Sequence, residues 1–213
     1  MTATDIVYVK SVGTPSEHSH IATYVAKQKK RMERSLRGLN HFQKILLVTD
    51  GTVTALLEHL SGEPIVIKKL HQSTETSAAG IPENHRTQIG SDEYPALVRK
   101  IVLKGEVSAT NYIYAESSIL LNSLPKEFRD DLVNSNMPIG KLWSKHKFET
   151  YKTNFTIQRE RADQMLSELL AVPEGSEILS RTYCVYTRGK NSMIITEKFS
   201  VSCFSNKNLA SMN

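Results

Sequence analysis

From Met193 to Val201 the sequence alternates apolar and polar residues, the signature of a strand with one face in a core. Successive side chains of a strand point to opposite faces. Met193, Ile195, Glu197, Phe199 and Val201 therefore share one side, while Thr196, Lys198 and Ser200 take the other. A carboxylate stands in the middle of the apolar row. Leu97-Val98-Arg99-Lys100-Ile101-Val102-Leu103 repeats the pattern with the opposite sign, placing Arg99 on the face of Leu97, Ile101 and Leu103. An unpaired ion facing a core costs several kcal/mol, roughly, so each charge needs a partner. Alternation alone leaves that partner open. Arg99 and Glu197 pair with each other, an edge strand lets one of them reach water, or a small polar ligand meets both in a closed pocket.

The same patterning yields two hairpins. One joins Leu97–Lys104 to Asn111–Ser118 through turn sequence containing Gly105; the other joins Ile178–Tyr186 to Ser192–Val201 through Arg188-Gly189-Lys190-Asn191. Ile65–Leu70 adds a β-branched strand. Pro125 and Glu127 open a helix that runs to about Val133, and Met137-Pro138-Ile139-Gly140 begins a short one. Residues 158–171 are expected to be helical, with Met165, Leu166, Leu169 and Leu170 on one side. Upstream, Lys44–Val48 is apolar enough to be buried, and Thr49-Asp50-Gly51-Thr52 is a turn capping a short helix through Leu60. Residues 72–93 read as a long polar loop. Hairpins with helices inserted between them, rather than βαβ alternation, predict an α+β fold. Its core is a single antiparallel β-sheet of about six strands with helices packed on one side.

The chain has 213 residues and a formal net charge of +5. It divides into a basic, helical N-terminal extension, 1–38, and one main domain, 39–213. In the extension Lys27, Lys29, Lys30, Arg31, Arg34 and Arg37 face only Glu33. That segment has no aromatic stacking residue beyond Tyr24 and no strong apolar face, so a solvated helix is favoured over one that binds nucleic acid or a membrane. No apolar run reaches the roughly 18 residues of a membrane span, and the chain is expected in the cytoplasm. Cys184 and Cys203 have no ligand partners at metal spacing and are expected to be reduced thiols. Glycine-rich phosphate loops, a nucleophile elbow and zinc signatures are missing. Any chemistry is expected to need neither metal nor cofactor.

The order of segments carries a resemblance. A turn Asp50-Gly51-Thr52-Val53-Thr54 is followed by Gly62–Leu70, the arginine strand Leu97–Leu103, and Tyr112-Ile113-Tyr114-Ala115-Glu116-Ser117. Met137-Pro138-Ile139-Gly140 comes next, and Arg188-Gly189-Lys190 leads into Ile194-Ile195-Thr196-Glu197-Lys198-Phe199. This order resembles the chorismate pyruvate-lyase family, especially its divergent bacterial and plastid-type branch, over roughly residues 40–204. The resemblance implies a cofactor-independent lyase that converts chorismate to 4-hydroxybenzoate and pyruvate, supplying an aromatic acid for quinone or related biosynthesis.

It also implies roles for residues. Arg99 matches the arginine that grips the ring carboxylate, and Glu197 the glutamate that meets the ring hydroxyl. Ile139 matches a residue whose backbone amide helps hold the carboxylate, and Val53 an apolar residue lining the pocket. One departure stands out: the classical branch has a second arginine on the strand matching Tyr112–Ser118, where this chain has Glu116-Ser117. The anion near the pyruvyl group then falls to Lys68 or Lys69, which point to opposite faces; Lys69 is the candidate. Arg181 reads as a strand-edge charge, and Tyr183 and Trp143 as core. The alternative function is a non-catalytic effector-binding module, because the fold resembles the ligand domains of bacterial winged-helix regulators. About forty residues precede the fold here, fewer than a winged helix needs.

Overall fold

The computed structural model describes residue 30 and residues 33–76 and 95–210. Of the basic N-terminal segment, therefore, only Lys30 and residues 33–38 are described, and these include a helical end in which Arg37 N–H donates to Arg34 O at 3.2 Å. The long loop expected over 72–93 begins later than its polarity suggested, because the strand before it continues to Thr76; 77–94 lie outside the described residues.

Helix α1, His41–Val48, starts at a reciprocal capping box: Gln43 N–H donates to Asn40 Oδ1 and Asn40 N–H to Gln43 Oε1, each at 2.9 Å. Gln43 Nε2 also donates to Val201 O at 2.9 Å and Asn40 Nδ2 to Phe204 O at 2.7 Å, tying this helix to the end of the chain. Of the Lys44–Val48 segment expected to be buried, Leu46 and Leu47 are, but Ile45 and Val48 lie on the outer face and are exposed. Helix α2, Val53–Ser61, stops at Gly62 in the left-handed region.

The strands are β1 Ile65–Thr76, β2 Pro95–Gly105, β3 Asn111–Leu120, β4 Tyr151–Arg161, β5 Glu177–Thr187 and β6 Lys190–Ser200. They form one six-stranded sheet in the order β1-β2-β3-β6-β5-β4, every pairing antiparallel. Between β3 and β4 lie α3, Lys126–Asn134, and α4, Ile139–Lys145; α5, Gln164–Leu170, follows β4, and α6, Asn206–Ala210, closes the described chain. Glu63 pins the β2–β3 turn by accepting from Val107 N–H at 2.7 Å and Ser108 N–H at 2.9 Å.

The expected α+β architecture with one antiparallel sheet is the observed one, but helices pack on both faces of the sheet and not on one side only. Leu97, Ile119, Tyr183, Val185, Met193 and Ile195 pack against Leu124, Phe128 and Leu132 of α3 and its approach, and against Leu142 and Trp143 of α4. On the other face Val102, Tyr114 and Ile178 meet Ala162, Leu166 and Leu170, so α5 packs there. The expected helix over 158–171 is corrected: residues through Arg161 belong to β4, and α5 begins only after Asp163, whose side chain accepts from Leu166 N–H at 2.8 Å. Cys184 and Cys203 are not joined in a disulfide. Among the described residues no helix is long and apolar enough to cross a membrane.

Candidate active site

The register of the central strands lays two rows of side chains across the floor of a cavity. Arg99 stands opposite Ser117, Ser117 opposite Ile195, and Ile195 opposite Tyr183; beside that row run Ile101, Ala115, Glu197 and Arg181. Above them the start of α2 supplies Thr52, Val53 and Thr54, and the start of α4 supplies Pro138, Ile139 and Gly140; Trp143 and Lys152 complete the wall. The space between these elements, counted out through its mouth into solvent, is about 560 Å³. Its walls are mainly apolar, with a few polar groups converging on the space.

Arg99 is 3% exposed, and among the described residues its Nε and Nη2 have no hydrogen-bond partner. Burial draws this guanidinium down to about 10. Trp143 Nε1, also buried, is likewise without a partner. Glu197 has the opposite circumstance. Its Oε2 accepts from Arg181 Nε at 2.6 Å and its Oε1 from Tyr183 Oη at 3.1 Å. Arg181, fully buried, also donates from Nη1 to Thr49 O at 2.9 Å. Burial alone would lower Arg181, but the Glu197 charge, the Tyr183 oxygen and the hydrogen bonds to both together outweigh it and leave the guanidinium above its ordinary value. Burial together with that carboxylate pushes the Tyr183 hydroxyl well up.

These contacts answer the question that alternation left open. Glu197 pairs with Arg181, not with Arg99, and the cation on β2 is left facing the cavity. Arg181 is thus no strand-edge charge: β4 flanks β5 on its outer side and makes β5 interior. Tyr183 and Trp143 are core residues that also line the cavity.

Arg99, Glu197, Val53 and Ile139 are brought together around this one space. Lys69 is not. It lies on the cavity's side of the sheet, opposite Ile101, but its Nζ donates to Val133 O at 2.7 Å, where Gln72 Nε2 also donates at 3.2 Å. The last carbonyls of α3 lack intrahelical partners and attract a lysine, which removes Lys69 from the lining. Lys68 is exposed. Glu116 accepts from Tyr114 Oη at 2.7 Å on the opposite face and is not in the lining either.

Sequence reasoning missed Lys152. Its Nζ donates to Gly51 O and stands 5.1 Å from the Tyr183 ring centroid and 5.5 Å from that of Trp143. Burial brings this ammonium down to about 8, with Glu197 and Asp50 pulling upward and Arg181 downward. No group of three or more His, Cys, Asp and Glu side chains that could hold a metal occurs among the described residues.

The two helix starts touch at Gly140. A Cβ there would come within 3.0 Å of Thr52 Cβ and 3.1 Å of its methyl. Gly140→Ala is therefore expected to push α4 off α2 and cost about 1–3 kcal/mol, as overpacking does. Thermal melts check this; an unchanged midpoint would mean that Thr52 yields freely.

A family model described as "Chorismate pyruvate-lyase Rv2949c-like" matches residues 47–206. The chain is 30% identical over 169 residues to a chorismate pyruvate-lyase of Mycobacterium leprae, covering 79% of each chain. To that of Mycobacterium tuberculosis H37Rv it is 25% identical over 173 residues, 81% of this chain and 86% of the other. Among solved structures it resembles the effector domain of PhnF from Mycobacterium smegmatis, with a TM-score of 0.55 at 12% identity, covering 72% of this chain and 90% of that one. At that identity the likeness is one of fold alone.

Proposed function

The chain belongs to the Rv2949c-like chorismate pyruvate-lyase family, and from that premise we propose that it splits chorismate into 4-hydroxybenzoate and pyruvate with its own side chains. The observation that carries this reading is Arg99: a buried cation whose Nε and Nη2 are unused among the described residues, in the same cavity as the carboxylate of Glu197.

The spacing of the two suits a para-substituted ring. Arg99 and Glu197 belong to strands separated only by β3 and stand two residues apart in register, so their backbones lie about 12 Å apart at ordinary strand spacing. Arg99 takes the ring carboxylate as a charge-assisted, bidentate pair, aided by the Ile139 amide at the start of α4. Val53 packs against the ring. Glu197 accepts from the ring hydroxyl; each of its oxygens has already taken one protein hydrogen bond and keeps a further lone pair.

In the reaction the ether bond between the ring and the enolpyruvyl group breaks. The hydrogen on the neighbouring, hydroxyl-bearing ring carbon leaves as a proton, and the ring gains its third double bond. The methylene carbon of the departing group takes up a proton and becomes the methyl of pyruvate. Aromatisation drives the step, so the protein's task is orientation and charge placement in a site shielded from water. Glu197, the carboxylate in the lining, is placed to receive or direct the ring proton. On this reading the product supplies quinone or related aromatic biosynthesis in the cytoplasm.

The test is incubation of the purified chain with chorismate, with pyruvate followed by coupled reduction to lactate. The expected result is pyruvate and 4-hydroxybenzoate in equal amounts. Binding of 4-hydroxybenzoate with no pyruvate released would replace the lyase by an effector-binding module.

A further inference from the structure

We propose that Lys152 binds the enolpyruvyl carboxylate of the substrate, and so distinguishes chorismate from its own aromatic product. The inference rests on the lyase reading of this cavity. It supplies the cation that the sequence does not provide on β3 and that Lys69, turned to Val133, does not provide on β1.

The argument is one of position. Among the described residues, Arg99 and Lys152 are the two cationic side chains in the lining. The sheet order β2-β3-β6-β5-β4 sets Arg99 on one side of Glu197 and Lys152 on the other. In chorismate the enolpyruvyl ether sits on the ring carbon next to the hydroxyl-bearing one. With the ring carboxylate on Arg99 and the hydroxyl at Glu197, the ether leaves the ring obliquely, and on the edge that faces β4 it carries the second carboxylate toward that strand. Lys152 stands there, reaching in from the edge strand beside the rings of Tyr183 and Trp143. One N–H of its ammonium is used by Gly51 O; no other hydrogen bond engages it among the described residues. The substrate is a dianion and the product a monoanion, so a cation at this end favours the substrate and releases its hold once pyruvate has left.

The charges around this ammonium are Glu197 on β6, Arg181 on β5 and Asp50 in the turn before α2; Tyr183 and Trp143 are its neutral neighbours. Lys147 and Glu149 line the open depression that shares Thr52 and Trp143 with the cavity. In the free protein the ammonium sits at about 8. It is cationic below that pH and neutral above it, so affinity for the second carboxylate falls as pH rises through this value.

Two variants and two ligands test the assignment. Lys152→Met is expected to lower kcat/KM for chorismate about thirtyfold or more, the worth of a charge-assisted hydrogen bond. It should leave the Kd of 4-hydroxybenzoate within about twofold, since that ligand has nothing to place there. Lys152→Arg should recover part of the loss and abolish the decline of kcat/KM above pH 8, because guanidinium stays charged. The second ligand is a 4-hydroxybenzoate carrying an ether-linked acetate beside its hydroxyl, a stable dicarboxylate. Calorimetry should show the unaltered protein preferring it to 4-hydroxybenzoate and Lys152→Met losing that preference. Equal loss of both ligands in Lys152→Met would reduce Lys152 to a structural latch on Gly51, and no preference in the unaltered protein would overturn the proposal. If chorismate yields no pyruvate, the lyase reading fails while the binding comparison still decides the role of Lys152.

Discussion

Arg99→Met is expected to abolish turnover while raising the melting temperature. The guanidinium is buried, and within the described fold two of its nitrogens have no hydrogen-bond partner. Its desolvation is therefore uncompensated in the free protein, and an apolar side chain of similar length removes that cost. A gain of about 1–2 kcal/mol corresponds to a few degrees in a chain of this size. Function moves the other way. Without the fork for the ring carboxylate, affinity for 4-hydroxybenzoate should fall about tenfold to a hundredfold, and chorismate turnover further still. Arg99→Lys should recover little, because a point charge does not replace a planar pair of donors. Thermal melts and product titrations on one preparation check both halves. A lower melting temperature would show that Arg99 has a structural partner, and unchanged kinetics would remove it from the site.

Glu197→Gln should lose on both counts. This carboxylate neutralises Arg181, which is fully buried, and accepts from Tyr183. Removing one partner of a buried ion pair leaves the other uncompensated, a loss of about 3–5 kcal/mol and roughly 10 °C in melting temperature. Measured well below the transition, product affinity should fall modestly, since the amide oxygen still accepts from a phenol. Turnover should fall far more if, as proposed, the reacting proton leaves beside this group. The double variant Glu197→Gln/Arg181→Met separates the two effects: it should recover stability and leave turnover abolished. A double variant with restored activity would make Glu197 a structural counter-ion and nothing more.

How far the sequence disclosed this site depended on which strands it disclosed. Glu197 and Arg99 were legible because each interrupts a clean apolar row with a charge. Arg181 interrupts one as well, between Leu179 and Tyr183, yet it passed for an edge charge because the strand beyond it went unrecognised. Tyr151–Arg161 is an outer strand, polar along much of its length, and its register shifts between Thr153 and Thr156. Such a strand need bury only one side and lacks the alternation that marks an interior one. Missing β4 also hid Lys152. Lys69 illustrates a different limit. Parity gave its face correctly, but a free carbonyl at the end of α3, distant in sequence, decided where its ammonium went.

The strand order has an evolutionary consequence. The interval between Arg99 and Glu197 is set by backbone hydrogen bonding across β2, β3 and β6, not by the reach of either side chain. A slip of one residue would turn either group to the opposite face, and a slip of two would carry it about 7 Å along the strand. Neither offers a path of small steps, so the distance between the two ends of an acceptable ring cannot drift. Lys152, by contrast, sits on the outermost strand, just before an irregularity in its pairing. Substitutions can accumulate there without disturbing the ladder. On the proposed lyase reading, descendants of this scaffold should therefore keep a para-hydroxylated aromatic acid as their common measure and diversify in the substituent they accept beside the hydroxyl.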